Sequence, residues 1–454
     1  MSNKFIFKKL EINQSVLFGL LSKIWSFCSG PITVVLIAAR LSPHEQGYYY
    51  TFSTLLALQV FLQLGLGTVI SQFASHEWSN LNLNEKGYII GNNESYSRLA
   101  SISKLAFKWY FIIGILFFIF VSAFGYLFFL TSNSSNSISW KLPWLALCLM
   151  EAISICLVPI WSLLEGCNQV EKLYKFRFYQ GIITSITIWS FLIFGLSLWT
   201  TTFSALVYII TSLFFIQKNY KFFFVSLVKY KFHNNSKYIN WKNEMLPMQW
   251  RIALSWISGY FIFSLFVPVL FKYSGSEIAG QMGMTWSLVL ALGSVSASWL
   301  SPKAPVFGML IAKKQYEELD RQFWKTTKII FIVSTIIACV ILGFVFFINY
   351  IPLPVINKYS SRLLPPLPTT LFLIAQLIYI LSTPFATYLR AHRKEPLMYF
   401  SIIYSFFVAL STLLLGKYFS VNGIAWGYLI INILFIPQIY FIWKKKKNIW
   451  HTSF

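Results

Sequence analysis

The chain has 454 residues, of which 57% are apolar and only 11% charged, whereas a soluble domain carries about 25% charged residues. This balance excludes a soluble fold. An unpaired backbone group in a bilayer costs several kcal/mol, so only helices or closed barrels span it, and long apolar runs without strand alternation exclude the barrel. The composition therefore predicts an all-α integral membrane protein.

Apolar segments of the length that crosses a bilayer, about 17 to 25 residues, occur in about twelve places. The predicted spans are 14–40, 48–72, 107–130, 142–164, 176–199, 201–219, 249–271, 277–300, 328–351, 367–388, 396–416 and 421–443. Their grouping predicts an N-terminal six-helix lobe at 1–216, a basic cytoplasmic linker at 217–248, a C-terminal six-helix lobe at 249–443 and a basic cytoplasmic tail at 444–454.

Three short matches relate the two sets of six spans. Lys23 with Ser29-Gly30 matches Arg251 with Ser258-Gly259; Ser71 and Ala74 match Ser301 and Ala304; Pro159, Ser162, Leu164 and Tyr174 match Pro384, Thr387, Leu389 and Tyr399. Because six spans keep the chain direction, these matches predict parallel repeats related by a pseudo-two-fold axis along the membrane normal.

The net charge of +23 is distributed unevenly. With both termini inside, 30 of the 37 Lys and Arg residues fall on the inner side and six on the outer side. This asymmetry follows the positive-inside rule, and it explains the charge through topology and attraction to anionic lipid. We therefore expect both termini to be cytoplasmic, membrane lipid to be a partner, and nucleic acid not to be one.

Cysteine and histidine usage bears on cofactors and enzymes. The five cysteines are odd in number and lack paired spacing, which indicates neither a disulfide framework nor a metal site. They are Cys28, Cys148, Cys156, Cys167 and Cys339. The five histidines are scattered, and the outer loops gather no catalytic constellation of His, Asp, Glu and Ser, so we expect no enzyme and no cofactor. The histidines are His44, His76, His233, His392 and His451.

Three runs carry a family resemblance. They are GPITVVLIAARLSPHEQGYYYTFSTLLALQVFLQLGLG at 30–67, LLEGCNQVEKLY at 163–174 and WLSPKAPVFGMLIAKKQYEELDRQFW at 299–324. The chain resembles bacterial O-antigen and capsule repeat-unit flippases, which belong to the superfamily of multidrug, oligosaccharidyl-lipid and polysaccharide exporters. The resemblance implies a two-lobed, twelve-span fold over essentially the whole chain.

The same resemblance implies the cargo and the location. The expected substrate is an undecaprenyl-diphosphate-linked oligosaccharide, exported across the bacterial inner membrane from the cytoplasmic to the periplasmic leaflet. We expect a monomer, with a polysaccharide polymerase as a candidate partner. The alternative is a drug/cation antiporter of the same fold, which would favour acidic groups in its cavity.

Cations within or next to the spans are candidates for binding the headgroup phosphates. Lys23 shares a helix face with Ser26 and Gly30 in the first span, and Arg251 is its repeat-related counterpart in the seventh. Arg40, at the outer end of the first span, is a third candidate. The alternative for each is a side chain that extends to the lipid headgroups or anchors its helix at the interface.

Polar residues within the spans supply the remaining candidates. Glu151 is the one acid well inside a span, and it is a possible proton-coupling site, because buried charge in a membrane is costly and usually functional. Gln59 and Gln63 in the second span, with Gln376 and Tyr379 in the tenth, are candidates for binding sugar. A bond that ties two helices together is the alternative for each of them.

Overall fold

The computed structural model describes residues 14–132, 138–232, 237–300, 302–350, 359–392 and 396–452. Ser301 of the second repeat match and His233 lie outside this described part. So do six of the 37 Lys and Arg residues counted above, which are Lys4, Lys8, Lys9, Lys358, Arg393 and Lys394.

The described residues are predominantly helical. The helices are α1 Gln14–Arg40, α2 Pro43–Leu56, α3 Val60–Gln63, α4 Leu66–Trp78, α5 Asn93–Leu130, α6 Lys141–Gly166, α7 Val170–Ile193, α8 Trp199–Val228, α9 Leu246–Phe263, α10 Phe266–Ser274, α11 Ser276–Leu300, α12 Lys303–Ala312, α13 Tyr316–Tyr350, α14 Pro366–Ala391 and α15 Met398–Thr452. A 3₁₀ turn at Ala57–Gln59 joins α2 to α3, and a π-helical turn at Trp241–Met245 precedes α9. The strands β1 Leu81–Leu83 and β2 Ile89–Gly91 pair antiparallel.

In the part of the chain that the structure describes, eight helices are long and apolar enough to cross a membrane, or ten when each of two bent pairs counts as one span. The 55-residue helix α15 contributes two passes, because Ser420 interrupts it with φ 52° and ψ −139°. Helix α7 covers most of the predicted span at 176–199, although its first turns carry several charges. The predicted all-α membrane fold of about twelve passes is therefore confirmed.

The second span is broken in its middle. Leu64 and Gly65 both have positive φ, at 49° and 66°, which ends α3 and bends the chain by 49° before α4 starts. Glycine is favoured at position 65 for two reasons. It tolerates the left-handed region, and it leaves room for Ile252, whose Cγ2 would lie only 2.4 Å from a Cβ at this position.

The described residues divide into two compact units. One takes in the described residues of Met1–Arg40, Leu56–Leu127 and Ser139–Trp256, and the other those of Leu41–Leu55, Phe128–Ile138 and Ile257–Phe454. We call them unit 1 and unit 2. The bounds predicted for the lobes, linker and tail remain a prediction, and helix α8 runs into the predicted linker as far as Val228.

In unit 1, an ion cluster joins three elements at their ends. Arg98, in the first turns of α5, contacts Glu77 of α4 and Glu244 of the π-helical turn, each at 2.7 Å. The Glu77 side chain is only 6% exposed, so Arg98 neutralises a carboxylate that would otherwise be costly to bury. The Asn240 amide and then Arg98 lower the pKa of Glu244 below its usual value.

In unit 2, the backbones of α2 and α11 approach each other closely at two glycines. A Cβ on Gly47 would lie 1.9 Å from the Ser276 carbonyl oxygen, and one on Gly283 would lie 2.4 Å from the Tyr50 side chain. Small residues at such seams let membrane helices approach closely, which maximises van der Waals contact where no hydrophobic force acts between helices.

This packing predicts the effect of one methyl group. Gly47→Ala should lower the free energy of unfolding by about 1–3 kcal/mol, because an overpacked contact forces the backbones apart. Thermal melting of the purified protein would measure the change. Gly343→Ala is the matched control, since nothing lies within 4 Å of a Cβ at that position; equal melting temperatures for the two variants would refute the tight seam.

Candidate functional site

The partly buried acid of unit 1 lies beside both predicted glutamines. The Gln59 side chain interacts with the Glu151 carboxyl group on α6, and Gln63 Nε2 donates to Gln59 Oε1 at 2.8 Å. Glu151 makes no ion pair with any described residue. The three side chains therefore form a polar row from the broken second span to the fourth, which we call the glutamine chain, and in it the carboxyl group has a neutral neighbour.

The break in the second span positions the Gln59 and Gln63 side chains. Gln59 ends the 3₁₀ turn and Gln63 ends α3, one residue before the left-handed pair that starts at Leu64. A four-residue spacing places the two amides on the same side of the helix, so that one amide can bond the next. The sequence predicted the shared face but not its connection to Glu151.

The three predicted cations are exposed. Lys23 lies two residues before Trp25, almost on the opposite side of α1, and Trp25 Nε1 donates to Ser185 of α7 at 3.2 Å. Arg251 lies 5.6 Å from the ring of its neighbour Trp250. Arg40 ends α1. None of the three cations forms an ion pair within the described residues, and no recorded contact joins them, so their phosphate-binding role remains a prediction.

Unit 2 contains a hollow with a mainly apolar lining, in which polar side chains of α14 form part of one wall. It has two adjoining parts, of about 280 Å³ and 510 Å³, which share Ala297 and Leu300. We call it the trough. Its lining residues are Phe263, Leu290, Gly293, Ala297, Leu300, Ala304, Gln376, Tyr379, Ile380, Thr383, Thr387, Arg390 and Ala391. The structure thus brings the predicted Gln376 and Tyr379 together in one cavity.

The hydrogen bonds that the lining side chains already make determine which of their donors and acceptors remain for a ligand. Gln376 is 2% exposed, and its Oε1 accepts from the Tyr428 hydroxyl at 3.4 Å, whereas its Nε2 has no hydrogen-bond partner among the described residues. Thr383 and Thr387 donate their hydroxyl protons to the carbonyls of Ile380 and Thr383, at 2.8 and 3.0 Å. The wall therefore presents amide donors at one position and hydroxyl acceptors at two others.

An aromatic and amide network supports this wall from behind. The Tyr379 ring meets Phe263 edge-on at 5.4 Å and stacks with Tyr404 at 6.2 Å. The Tyr404 hydroxyl donates to Asn432 Oδ1 at 3.1 Å, and Asn432 Nδ2 donates to the Tyr428 carbonyl at 2.8 Å. These contacts hold the buried polar groups in place, as a dry interior requires.

Arg390 is a lining residue that the sequence analysis missed. The signal was present, because Gln376, Thr383, Thr387 and Arg390 follow one another at helical spacing on one face of α14. The sequence analysis counted Arg390 among the topology-setting cations at a helix end. Among the described residues that line the trough, none carries a carboxylate.

Comparisons with known proteins identify the fold. No protein-family model matches the chain, and no curated protein matches it. Solved structures do. An inward-facing multidrug resistance MATE family transporter of the MOP superfamily superimposes with a TM-score of 0.60 at 12% identity, covering 96% of each chain. The lipid II flippase MurJ, in an inward closed conformation, gives 0.61 at 15% identity over 94% of this chain and 87% of that one.

A third structure is a MOP superfamily transporter from Pyrococcus furiosus, described by a binding pocket of reverse polarity that suggests a different function. It gives a TM-score of 0.54 at 12% identity, covering 96% of this chain and 95% of that one. The chain has the fold of these membrane transporters. At such low identity the likeness establishes the multi-pass fold, and the cargo has to be argued from the residues.

The glutamine chain predicts a stability difference. Gln59→Leu should lower the free energy of unfolding by about 1–3 kcal/mol, because it removes the amide beside the partly buried Glu151 and Gln63 groups. Gln63→Leu removes one bond from the end of the chain and should have the smaller effect. Melting temperatures of the two purified variants would show this order, and a larger loss for Gln63→Leu would refute it.

Proposed function

We propose that the protein is a flippase that moves an undecaprenyl-diphosphate-linked oligosaccharide, an O-antigen or capsule repeat unit, from the cytoplasmic to the periplasmic leaflet by alternating access. The observation that carries this proposal is the lining of the trough, which combines neutral amide, hydroxyl and phenol groups with an arginine and has no carboxylate among its described residues. Such a wall suits an anionic, hydroxyl-rich headgroup.

Sugar binding would use the two kinds of polar group already described. Gln376 Nε2 can donate to a sugar hydroxyl, whereas Thr383 and Thr387 accept, because their own protons are bonded to the helix. The Tyr379 ring offers an apolar face with a hydroxyl at its tip, as binding sites for amphipathic ligands commonly do. A simple cation would gain little from this set.

The second candidate is a drug/cation antiporter. It is supported by the fold shared with a multidrug MATE family transporter and by Glu151, a partly buried acid without an ion-pair partner among the described residues. A carboxylate can bind a cation or a proton inside a membrane protein. Glu151 is not among the lining residues of the trough, and we therefore assign it a coupling role and not a substrate site.

The remaining parts of the proposal follow from charge. The bias of Lys and Arg supports a bacterial inner-membrane protein with cytoplasmic termini. Lys23, Arg251 and Arg40 are proposed to bind the headgroup phosphates along its path. A diphosphate that leaves a negative interior moves downhill by about 2.3 kcal/mol per charge per 100 mV. We propose a monomer that hands its cargo to a polysaccharide polymerase.

The glycan profile of cells that lack the protein tests this function. We expect loss of surface polysaccharide and accumulation of undecaprenyl-diphosphate oligosaccharide, both reversed by the wild-type gene. Gln376→Leu, or Lys23→Ala combined with Arg251→Ala, should restore less than a tenth of surface polysaccharide at equal expression. Arg321→Ala is the control, since its side chain is 77% exposed on α13 outside the trough.

The opposite result would be equally informative. Normal surface glycan with no accumulated intermediate, in a strain without a second flippase, would overturn the flippase proposal and leave the antiporter as the better reading.

Coupling predicts a separate effect at Glu151. If its carboxyl group carries the coupling proton, Glu151→Gln fixes the site in a neutral form, and transport should no longer respond to an imposed pH gradient while its response to membrane potential persists. Translocation of lipid-linked oligosaccharide in everted vesicles would measure this. Glu165→Gln on the same helix is the control, because Glu165 pairs with Arg177 at 2.7 Å and is a third exposed. Unaltered gradient dependence in Glu151→Gln would exclude the role.

A further inference from the structure

A gap in the side chains of α11 lies beside the buried amide of Gln376. Gly293 on α11 and Gln376 on α14 both line the smaller hollow of the trough. A Cβ on Gly293 would lie 3.4 Å from Gln376 Nε2. A ligand oxygen at the usual hydrogen-bond distance of about 2.9 Å from that nitrogen would compete for the same space. The missing side chain therefore leaves room for an acceptor next to the amide, and we call this room the notch.

The Tyr428 hydroxyl sets the orientation of the amide. It donates to Gln376 Oε1 at 3.4 Å, and the Tyr428 ring meets Phe266 and Trp286 edge-on, with ring centroids 5.3 and 5.8 Å away. With the oxygen bonded there, Nε2 is the end of the amide that lies beside Gly293. The Gln376 side chain is 2% exposed and its nitrogen has no hydrogen-bond partner among the described residues. A buried donor in this state gains most from a ligand that accepts its bond.

The smaller hollow has more donors than acceptors. The Gln376 amide has two protons and the Tyr379 phenol has one, whereas no carboxylate occurs among the described lining residues. Thr383 supplies an acceptor, but it lies seven residues further along α14, or about 10 Å away along the axis. A ligand hydroxyl at the amide would add another proton to this set. A carbonyl oxygen adds none and can accept two bonds.

The rest of the smaller hollow is largely carbon. Phe263, Leu290 and Ile380 line it, and such walls favour an alkyl group over an unpaired hydroxyl. Its volume, about 280 Å³, falls just below the range of about 300–1,000 Å³ that whole ligands occupy, so it suits one part of a headgroup. An acylamino substituent fits this description, because it joins a small alkyl group to a carbonyl oxygen. Its own N–H points away from that oxygen in the trans amide.

We infer that Gly293 and Gln376 form a subsite for the acylamino group of an N-acylated amino sugar. The carbonyl oxygen of that group accepts from Gln376 Nε2 in the notch, and its alkyl group packs against the apolar walls. This inference rests on the proposed function for a lipid-linked sugar cargo, and it adds a class of sugar and a residue that selects it. Gly293 makes no bond to the ligand and selects it by leaving space.

Binding of two matched glycolipids to the full-length protein tests the subsite without requiring transport. The probes are farnesyl diphosphate joined to N-acetylglucosamine and farnesyl diphosphate joined to glucose, which differ only in one acetamido group. Each would be titrated into protein in phosphatidylcholine nanodiscs. The wild type should bind the N-acetylated probe about tenfold more tightly, as expected for one additional hydrogen bond with a buried donor. Equal affinities for the two probes would overturn the inference.

Two variants and a control assign the preference to the notch. Gly293→Ala should bring the two affinities to within twofold of each other, because its methyl group fills the place of the carbonyl oxygen. It should fold, since its Cβ would meet the amide at van der Waals distance and alanine favours a helix more than glycine does. Gln376→Leu should abolish the preference as well. Gly343→Ala, the same change where nothing lies within 4 Å of a Cβ, should keep it.

The ratio of the two affinities separates selection from general damage. A structural defect in Gly293→Ala would weaken both probes by the same factor and leave the tenfold ratio intact. That result, or an equal loss of preference in Gly343→Ala, would overturn the inference.

Failure of the proposed function would look different. Normal surface glycan in the deletion strain, together with a preference for the N-acetylated probe that Gly293→Ala abolishes, would keep the subsite and reject the flippase. Accumulated lipid-linked oligosaccharide in the deletion strain, together with equal binding of the two probes, would keep the flippase and reject the subsite.

Discussion

A polar group in hydrocarbon has no water to bond with, and this constraint governs every part of the structure. The helices satisfy their own backbones, and hydroxyl side chains inside them do the same, as Thr33, Thr51 and Thr412 show by donating to the carbonyl four residues earlier. Such bonds keep serine and threonine compatible with the membrane.

Two polar arrangements within the described spans differ in kind, one in each unit. In unit 1 the carboxyl group of Glu151 has only an amide for a partner, and that amide is held by a second one. In unit 2 the buried Gln376 turns its donor side to a cavity while its oxygen is bonded behind the wall. The first arrangement suits a proton that comes and goes, and the second suits a neutral ligand rich in hydroxyl groups. In the proposed flippase, Glu151 on α6 would serve coupling and Gln376 on α14 would serve the cargo.

Hydropathy predicted most of the architecture because membrane crossing depends on local composition. The polar faces of the second and tenth spans were also predictable, since Gln59 and Gln63, or Gln376 and Tyr379, recur at helical spacing. The bend at Leu64 and Gly65 was not predictable from the sequence, because a glycine within an apolar segment does not by itself indicate a bend. Its neighbour in space, Ile252, is distant in sequence. Arg390 was missed because the positive-inside rule already accounts for a cation at the inner end of a helix. The phosphate-binding roles of Lys23 and Arg251 remain predictions.

The described lining of the trough combines neutral polar side chains with the charged Arg390. Bonds from Gln376, Thr383 and Thr387 involve neutral partners, so dissolved ions barely affect them. The exposed guanidinium of Arg390 is different, since mobile ions screen charges over a Debye length of about 8 Å at physiological ionic strength. Rising salt would therefore weaken the electrostatic attraction of the trough for an anionic ligand, whereas its hydrogen bonds to neutral groups would hardly change.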